Sequence, residues 1–181
     1  MNKLVLITLL ISLTFIGCSS DELDFEQANA IELNPIAKVS LLYFKANPSN
    51  FIDQITGLDT PVRFDYSNIN VFSNEISLNN VKKVVLKIDI ENTFNKDFNI
   101  DYYLIDENNN TLDVLNFNSI ANGQLQTEYT YLEGSVEFQN MVNTRRINVI
   151  VGQFPSTAPT NDAMLLHFKS AVDLTLKFGN D

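Results

Sequence analysis

The sequence predicts an all-β fold: an immunoglobulin-like β-sandwich of about seven to eight strands with two short helices, occupying residues 35–181 as a single domain. Three observations carry this. Short runs that alternate apolar and polar residues recur from Pro35 to the C-terminus, which is the period-two signature of strands with one buried face. Asn, Asp, Gly and Pro punctuate those runs, and these residues favour turns. Helix-like spacing is confined to two brief stretches. The chain has one cysteine and no tryptophan, so the Cys…Trp…Cys signature of antibody domains is absent and only the architecture is inferred.

Pro35 opens the first strand pattern. Ala37, Val39, Leu41 and Tyr43 share one parity, and Ile36, Leu42 and Phe44 share the other with Lys38 and Ser40; such mixed faces predict a strand buried partly on both sides. Asn47-Pro48 supplies a cap and a first-turn proline, predicting a helix over Pro48–Ile55 with Phe51, Ile52 and Ile55 on one side. Val62, Phe64 and Tyr66 alternate with Arg63 and Asp65. A polar connection, 68–80, follows. The strongest strand is next: Val84, Leu86, Ile88 and Ile90 face one way, and Lys83, Val85, Lys87, Asp89 and Glu91 the other. After the turn 92–97, Phe98, Ile100, Tyr102 and Leu104 alternate with Asn99, Asp101 and Tyr103, so these two runs read as a hairpin.

Asp106–Asn110 turns into a strand through Leu112, Val114 and Leu115, and Asn118–Gly123 turns again into Leu125–Leu132. Gly134-Ser135 starts the second helix, over Val136, Phe138, Met141 and Val142. Arg145 and Arg146 lead a strand with Ile147, Val149 and Val151. The last strand places Met164, Leu166, Phe168, Val172, Leu174, Leu176 and Phe178 on one parity. No internal repeat is present.

The N-terminus is of a different kind. Lys3 is followed by Leu4–Ile16, apolar apart from Thr8, Ser12 and Thr14, then Gly17 and the only cysteine, Cys18. A charged start, a short apolar run and a small residue at the cut describe a secretory signal, and the cysteine directly after Gly17 makes it resemble a bacterial lipoprotein signal. Phe15 stands where such signals carry Leu. The resemblance implies cleavage of residues 1–17 and lipidation of Cys18, with palmitate-type acyl chains as the anchor. Several chains are needed for a durable anchor, since one alone binds marginally. The run is shorter than the about 20 apolar residues of a spanning helix. Residues 18–34 then form the lipidated cysteine and an acidic tether. Ser19-Ser20-Asp21-Glu22 resembles the serine-acidic export signal that sends lipoproteins of Bacteroidota-type bacteria to the outer face of the outer membrane. Asp24-Phe25-Glu26-Gln27 and Pro35…Leu42-Tyr43-Phe44 are similar to uncharacterised small surface lipoproteins of flavobacterial type. That resemblance implies a surface location and a β domain, and it carries no known activity.

Composition narrows the partners. The 181 residues carry a formal charge of −10 from 12 Lys+Arg and 22 Asp+Glu, a field that repels nucleic acid and anionic headgroups. The apolar fraction of 45% is that of an ordinary globular chain.

Chemistry-bearing patterns are few. His167, the only histidine, falls on the polar parity of the last strand with Lys169 and Asp173, and reads as a solvent-facing residue; no Gly-x-Ser-x-Gly turn accompanies it. Asp106, Asn108 and Asn110 have the spacing that starts a calcium loop, but Thr111 stands at the glycine position and Phe117 at the closing glutamate, so a polar hairpin turn is read. Asp89, Glu91 and Asp101 alternate with lysines as solvated surface does. Arg145-Arg146 reads as edge charge that discourages strand pairing. Tyr103 and Tyr131 are the candidate exposed platform for a ligand. No catalytic residue, metal or cofactor is expected. The expected function is a non-enzymatic, lipid-anchored binding or accessory protein of the outer membrane facing the cell exterior, with the membrane and an envelope protein or surface ligand as partners. A glycan-binding module of a nutrient-uptake system is the alternative, and a hydrolase stands third.

Overall fold

The computed structural model describes residues 32–53, 55–56, 58–67, 69, 72, 79–153 and 163–179. The unit Leu33–Phe178 carries the elements below. In chain order they are β1 (Ile36–Ala46), a 3-10 turn (Pro48–Phe51), β2 (Val62–Ser67), β3 (Val81–Asn92), β4 (Phe98–Ile105), β5 (Thr111–Ser119), β6 (Gly123–Leu132), α1 (Val136–Asn143), β7 (Arg146–Gln153) and β8 (Leu166–Leu176). Of the second unit, made of the two chain ends, Glu32 and Gly179 are described.

The strands form two four-stranded sheets, ordered β1-β8-β3-β6 and β2-β7-β4-β5. Every pair is antiparallel, and β1 with β8, β2 with β7, β3 with β6 and β4 with β5 make a nested series. That is one long hairpin rolled into a sandwich, the jelly-roll order. It replaces the expected immunoglobulin-like arrangement, whose sheets are ordered A-B-E-D and C-F-G.

The roll also corrects the expected hairpin of β3 and β4. These strands lie in opposite sheets. Val84, Leu86 and Ile90 of β3 and Phe98, Ile100, Tyr102 and Leu104 of β4 are each at most 0% exposed. Two such faces bury more apolar surface across a core than side by side in one sheet. The crossing is held by Asn92, whose Nδ2 donates to the carbonyls of Lys96 (2.8 Å) and Ile120 (2.9 Å) and whose Oδ1 accepts from the Phe94 N–H (2.9 Å). Phe94 then turns inward, edge-on to Phe51 and Phe98.

β1 departs from its expected two-sided burial. Its register with β8 shifts between Ser40 and Leu42, a bulge at Leu41 that inserts one residue and exchanges the faces. Ala37, Val39 and Leu41 point to the core before it, and Leu42, Phe44 and Ala46 after it. One buried face therefore explains both apolar parities. Phe44 stacks on Phe64 of β2 and Phe168 of β8.

The first helix is shorter than expected. Asn47 caps the 3-10 turn, and only Phe51 of its apolar residues is buried. Asp53 ends it by accepting from the backbone N–H groups of Ile55 (2.9 Å) and Thr56 (2.7 Å), a local bond that competes with helix propagation. Ile52 bridges to Asp59, and Ile55 is 94% exposed. The second helix forms where expected. Gly134, at φ +89°, makes the turn, Ser135 Oγ accepts from the Phe138 N–H, and Phe138, Met141 and Val142 are buried.

Candidate ligand-binding face

The inward parity of β1, β8, β3 and β6 belongs to the core, so the opposite parity is an open sheet face. Register builds it in rows. One row runs Tyr43, Lys169, Asp89, Gln126, and the next runs Ala171, Lys87, Glu128. Neighbouring strands stand about 4.8 Å apart, so side chains within a row are cross-strand neighbours.

Ala171 is the small residue in this field. Its methyl leaves an open depression of about 370 Å³, walled by Lys87, Asp89, Gln126, Glu128 and Lys169. A second depression of about 450 Å³ lies at the end of β3 and the start of β6, beside Glu91, Asn122 and Gln124. Lys87 Nζ meets Asp173 Oδ2 at 2.9 Å and Glu128 Oε1 at 3.5 Å, and the hydrogen bond to Asp173 raises its pKa. Lys169 Nζ lies 3.8 Å from Asp89 Oδ2. Exposed pairs of this length contribute little. The trough is thus a set of ammonium, carboxylate and amide groups able to exchange partners with a ligand's hydrogen-bonding groups. Tyr43 closes its row at the sheet edge, 52% exposed, with the Lys45 ammonium 6.0 Å from its ring centroid.

The sequence-predicted residues distribute differently. Cys18, Ser19, Ser20, Asp21 and Glu22 lie outside the described residues. Tyr103 is half-buried on β4, while Tyr131 on β6 is 6% exposed and belongs to the other sheet. The expected platform of two exposed tyrosines is therefore not formed: Tyr131 has inward parity, and its burial raises the phenol pKa. Among the described residues Tyr43 is the exposed tyrosine that the pattern missed, because the bulge at Leu41 turns it outward.

His167 lies on the outer face, half-buried, with Nδ1 3.4 Å from Glu91 Oε2. Asp101 Oδ1 accepts from Asn116 Nδ2 at 2.7 Å. Asp106 turns onto its own loop: Oδ1 accepts from the backbone N–H of Asn108 and Asn110, and Oδ2 from Asn110 Nδ2. The Asn110 side chain leads in holding its pKa low. Arg146 is no edge residue, since β7 lies between β2 and β4. Arg145 instead donates Nη1 to the carbonyls of Val142 (2.8 Å) and Thr144 (3.0 Å), closing the end of α1. Among the described residues no helix is long and apolar enough to cross a membrane.

No protein-family model and no curated protein matches the chain. Among solved structures it is similar to a protein of Parabacteroides distasonis ATCC 8503 described as secreted, with a TM-score of 0.46 and 11% identity over 64% of this chain and 37% of that one. It is also similar to the VP2 subviral particle protein of infectious bursal disease virus (TM-score 0.39, 7% identity, 79% of this chain, 32% of that one). A third is a structure titled for CBM4 structure and function (TM-score 0.33, 9% identity, 78% and 77%). These values mark distant likeness in strand arrangement only.

Proposed function

We propose that the protein is a lipid-anchored surface protein of the outer membrane, held through Cys18, whose jelly-roll domain binds a ligand without chemistry on the outer face of β1-β8-β3-β6. The observation that carries the binding role is the trough over Ala171, where Lys87, Asp89, Gln126, Glu128 and Lys169 converge. The Lys87–Glu128 and Lys169–Asp89 pairs are long and exposed, so a ligand can displace them at small cost. The anchor reading is supported by the run that ends at Gly17-Cys18. An envelope protein or surface ligand is the partner class, and the domain acts as a binding or accessory subunit.

A glycan is the second reading. Tyr43 lies in one row with Lys169, Asp89 and Gln126, which sets an aromatic ring beside groups that bond hydroxyls.

The test has two arms. Replacing Cys18 with Ala should abolish labelling by radioactive palmitate; retained label refutes the anchor. Separately, ligand capture by the anchored protein and binding to a panel of soluble glycans should fall together in the Asp89→Ala/Lys169→Ala variant. Unchanged capture and unchanged glycan binding would exclude this face.

A further inference from the structure

Of the four free sheet edges, three are guarded. β1 has the bulge at Leu41 and exposed Lys38 and Lys45. β2 is 6 residues long and follows Pro61. On β5 the register breaks at Leu112, Asp113 Oδ1 accepts from the Val114 N–H, and Asn140 of α1 donates to the Leu112 carbonyl at 3.1 Å. Bulges, lysines, short length and covering elements keep edges from pairing.

β6, against which the directly following α1 packs, has among the described residues no bulge, no lysine and no shortened length. Its 10 residues keep continuous register with β3 from Leu132 to Gly123. It contains no proline and no lysine, and Glu128 is its single charge. Its inward residues Leu125, Thr127 and Tyr129 are only half-buried, so apolar rim stays open along this stretch of the edge.

We propose that β6 pairs antiparallel with β6 of a second copy, in the register centred on Thr127. Opposed residues in an antiparallel pair point to the same face, and two symmetric registers align nearly the whole strand. The one centred on Glu128 sets Glu128 against itself. The one centred on Thr127 sets Thr127 against the partner's Thr127, Gln126 against the partner's Glu128, and Leu125 against the partner's Tyr129. These are a hydroxyl pair, an amide–carboxylate pair and an apolar–aromatic pair, with no like charges opposed. The strand is chemically self-complementary about Thr127.

The two-fold axis stands perpendicular to the sheet. Both troughs then open on the same side, about 24 Å apart from one Ala171 to the other across five strand spacings. Gln126 and Glu128 line each trough, so the seam becomes a shared wall. This use of the pair rests on the binding role proposed above; the pairing itself does not. Strand pairing alone covers less than a standard interface of about 1,200 Å² or more, so the association is weak and reversible and is best trapped covalently.

The test is disulfide trapping in cells making the full chain. Thr127→Cys should give a cross-linked dimer under mild oxidation, several-fold above both the parent chain and Leu125→Cys, whose two copies stand apart in this register. No dimer for Thr127→Cys, equal yields at both positions, or a cross-link to a protein of different mass would overturn the proposal. In a second arm, Gln126→Glu opposes two pairs of carboxylates and should lower the trapped fraction about ten-fold. Adding Glu128→Gln removes the clash and should restore it. Failure of the second change to restore trapping, with unchanged thermal unfolding of the domain, refutes the register. Loss of ligand binding with trapping intact would strike only the binding role.

Discussion

Tyr102 of β4 donates its hydroxyl to Ser170 Oγ of β8 at 3.2 Å, joining the two sheets through the middle of the core. Tyr102 is 0% exposed and Ser170 3%, so each hydroxyl depends on the other. The ring of Tyr102 also stacks near Phe168, with centroids 5.9 Å apart.

Removing one partner should cost more than removing both. Ser170→Ala strands the Tyr102 hydroxyl, and about 1–3 kcal/mol should be lost. Tyr102→Phe with Ser170→Ala removes the polar pair and should recover part of that. Urea unfolding of the four members of the cycle measures it, and strictly additive losses would show that the bond contributes nothing.

Alkaline pH should destabilise the domain. Burial raises the phenol pKa of Tyr102, and also that of Tyr131. Above about pH 10, the ordinary phenol value, the unfolded chain releases these protons while the folded one retains them. The unfolded state then binds fewer protons, so stability falls with rising pH, and this contribution is fully present well below the ordinary phenol value. Tyr102→Phe should make the decline between pH 9 and pH 11 shallower. An unchanged slope would mean that Tyr102 does not contribute.

Truncation at the centre of β3 should be severe. Ile88 is 2% exposed, and Ile88→Ala should cost about 2–5 kcal/mol. A loss below about 0.5 kcal/mol in calorimetry would contradict its inward position.

Asn92 should be the costliest polar replacement. Asn92→Ala deletes three bonds to three backbone groups at a site 1% exposed. Unsatisfied buried backbone groups cost about 1–3 kcal/mol each, and a loss of at least about 2 kcal/mol is expected. Asn92→Asp keeps the acceptor and loses both donations, so it should not rescue. A melting temperature within a degree of the parent's for Asn92→Ala would remove the corner role.

The side of the membrane can be tested through Asp21 and Glu22. Their replacement by Ala leaves Cys18 and the domain unchanged. Protease added to intact cells should degrade the parent protein and spare the variant. Equal degradation would remove the export-signal role, and equal protection would remove surface exposure.

Strand positions were legible because one-sided burial imposes a period of two. That rule identified the inner faces of β3, β4 and β8. Partnership was not legible, since parity says which side of Val84 or Phe98 is buried but not which strand lies beside it. The bulge at Leu41 hid the outward turn of Tyr43 for a related reason: one extra residue inverts parity without leaving a distinctive residue behind. The trough required register, because Ala171, Lys87 and Glu128 are far apart in sequence and meet only across three strands. Tyr131 was misplaced because an aromatic on a strand carries no mark of its own face.

The nesting of β1 with β8 has a bearing on how the chain is delivered. β1 has β8 as its only strand neighbour, and the bridge from Leu33 to Phe178 lies just beyond that pair. The first strand to emerge therefore has no partner until the last has emerged. Folds dominated by such distant contacts form slowly, and the loop that joins their ends must close before any reward is gained. On emergence from the N-terminus, β4 can pair with β5 and β3 with β6 early, whereas β1 stays without its partner until Leu176 has passed. The two chain-distant strands of one sheet are thus the last part of the roll to close.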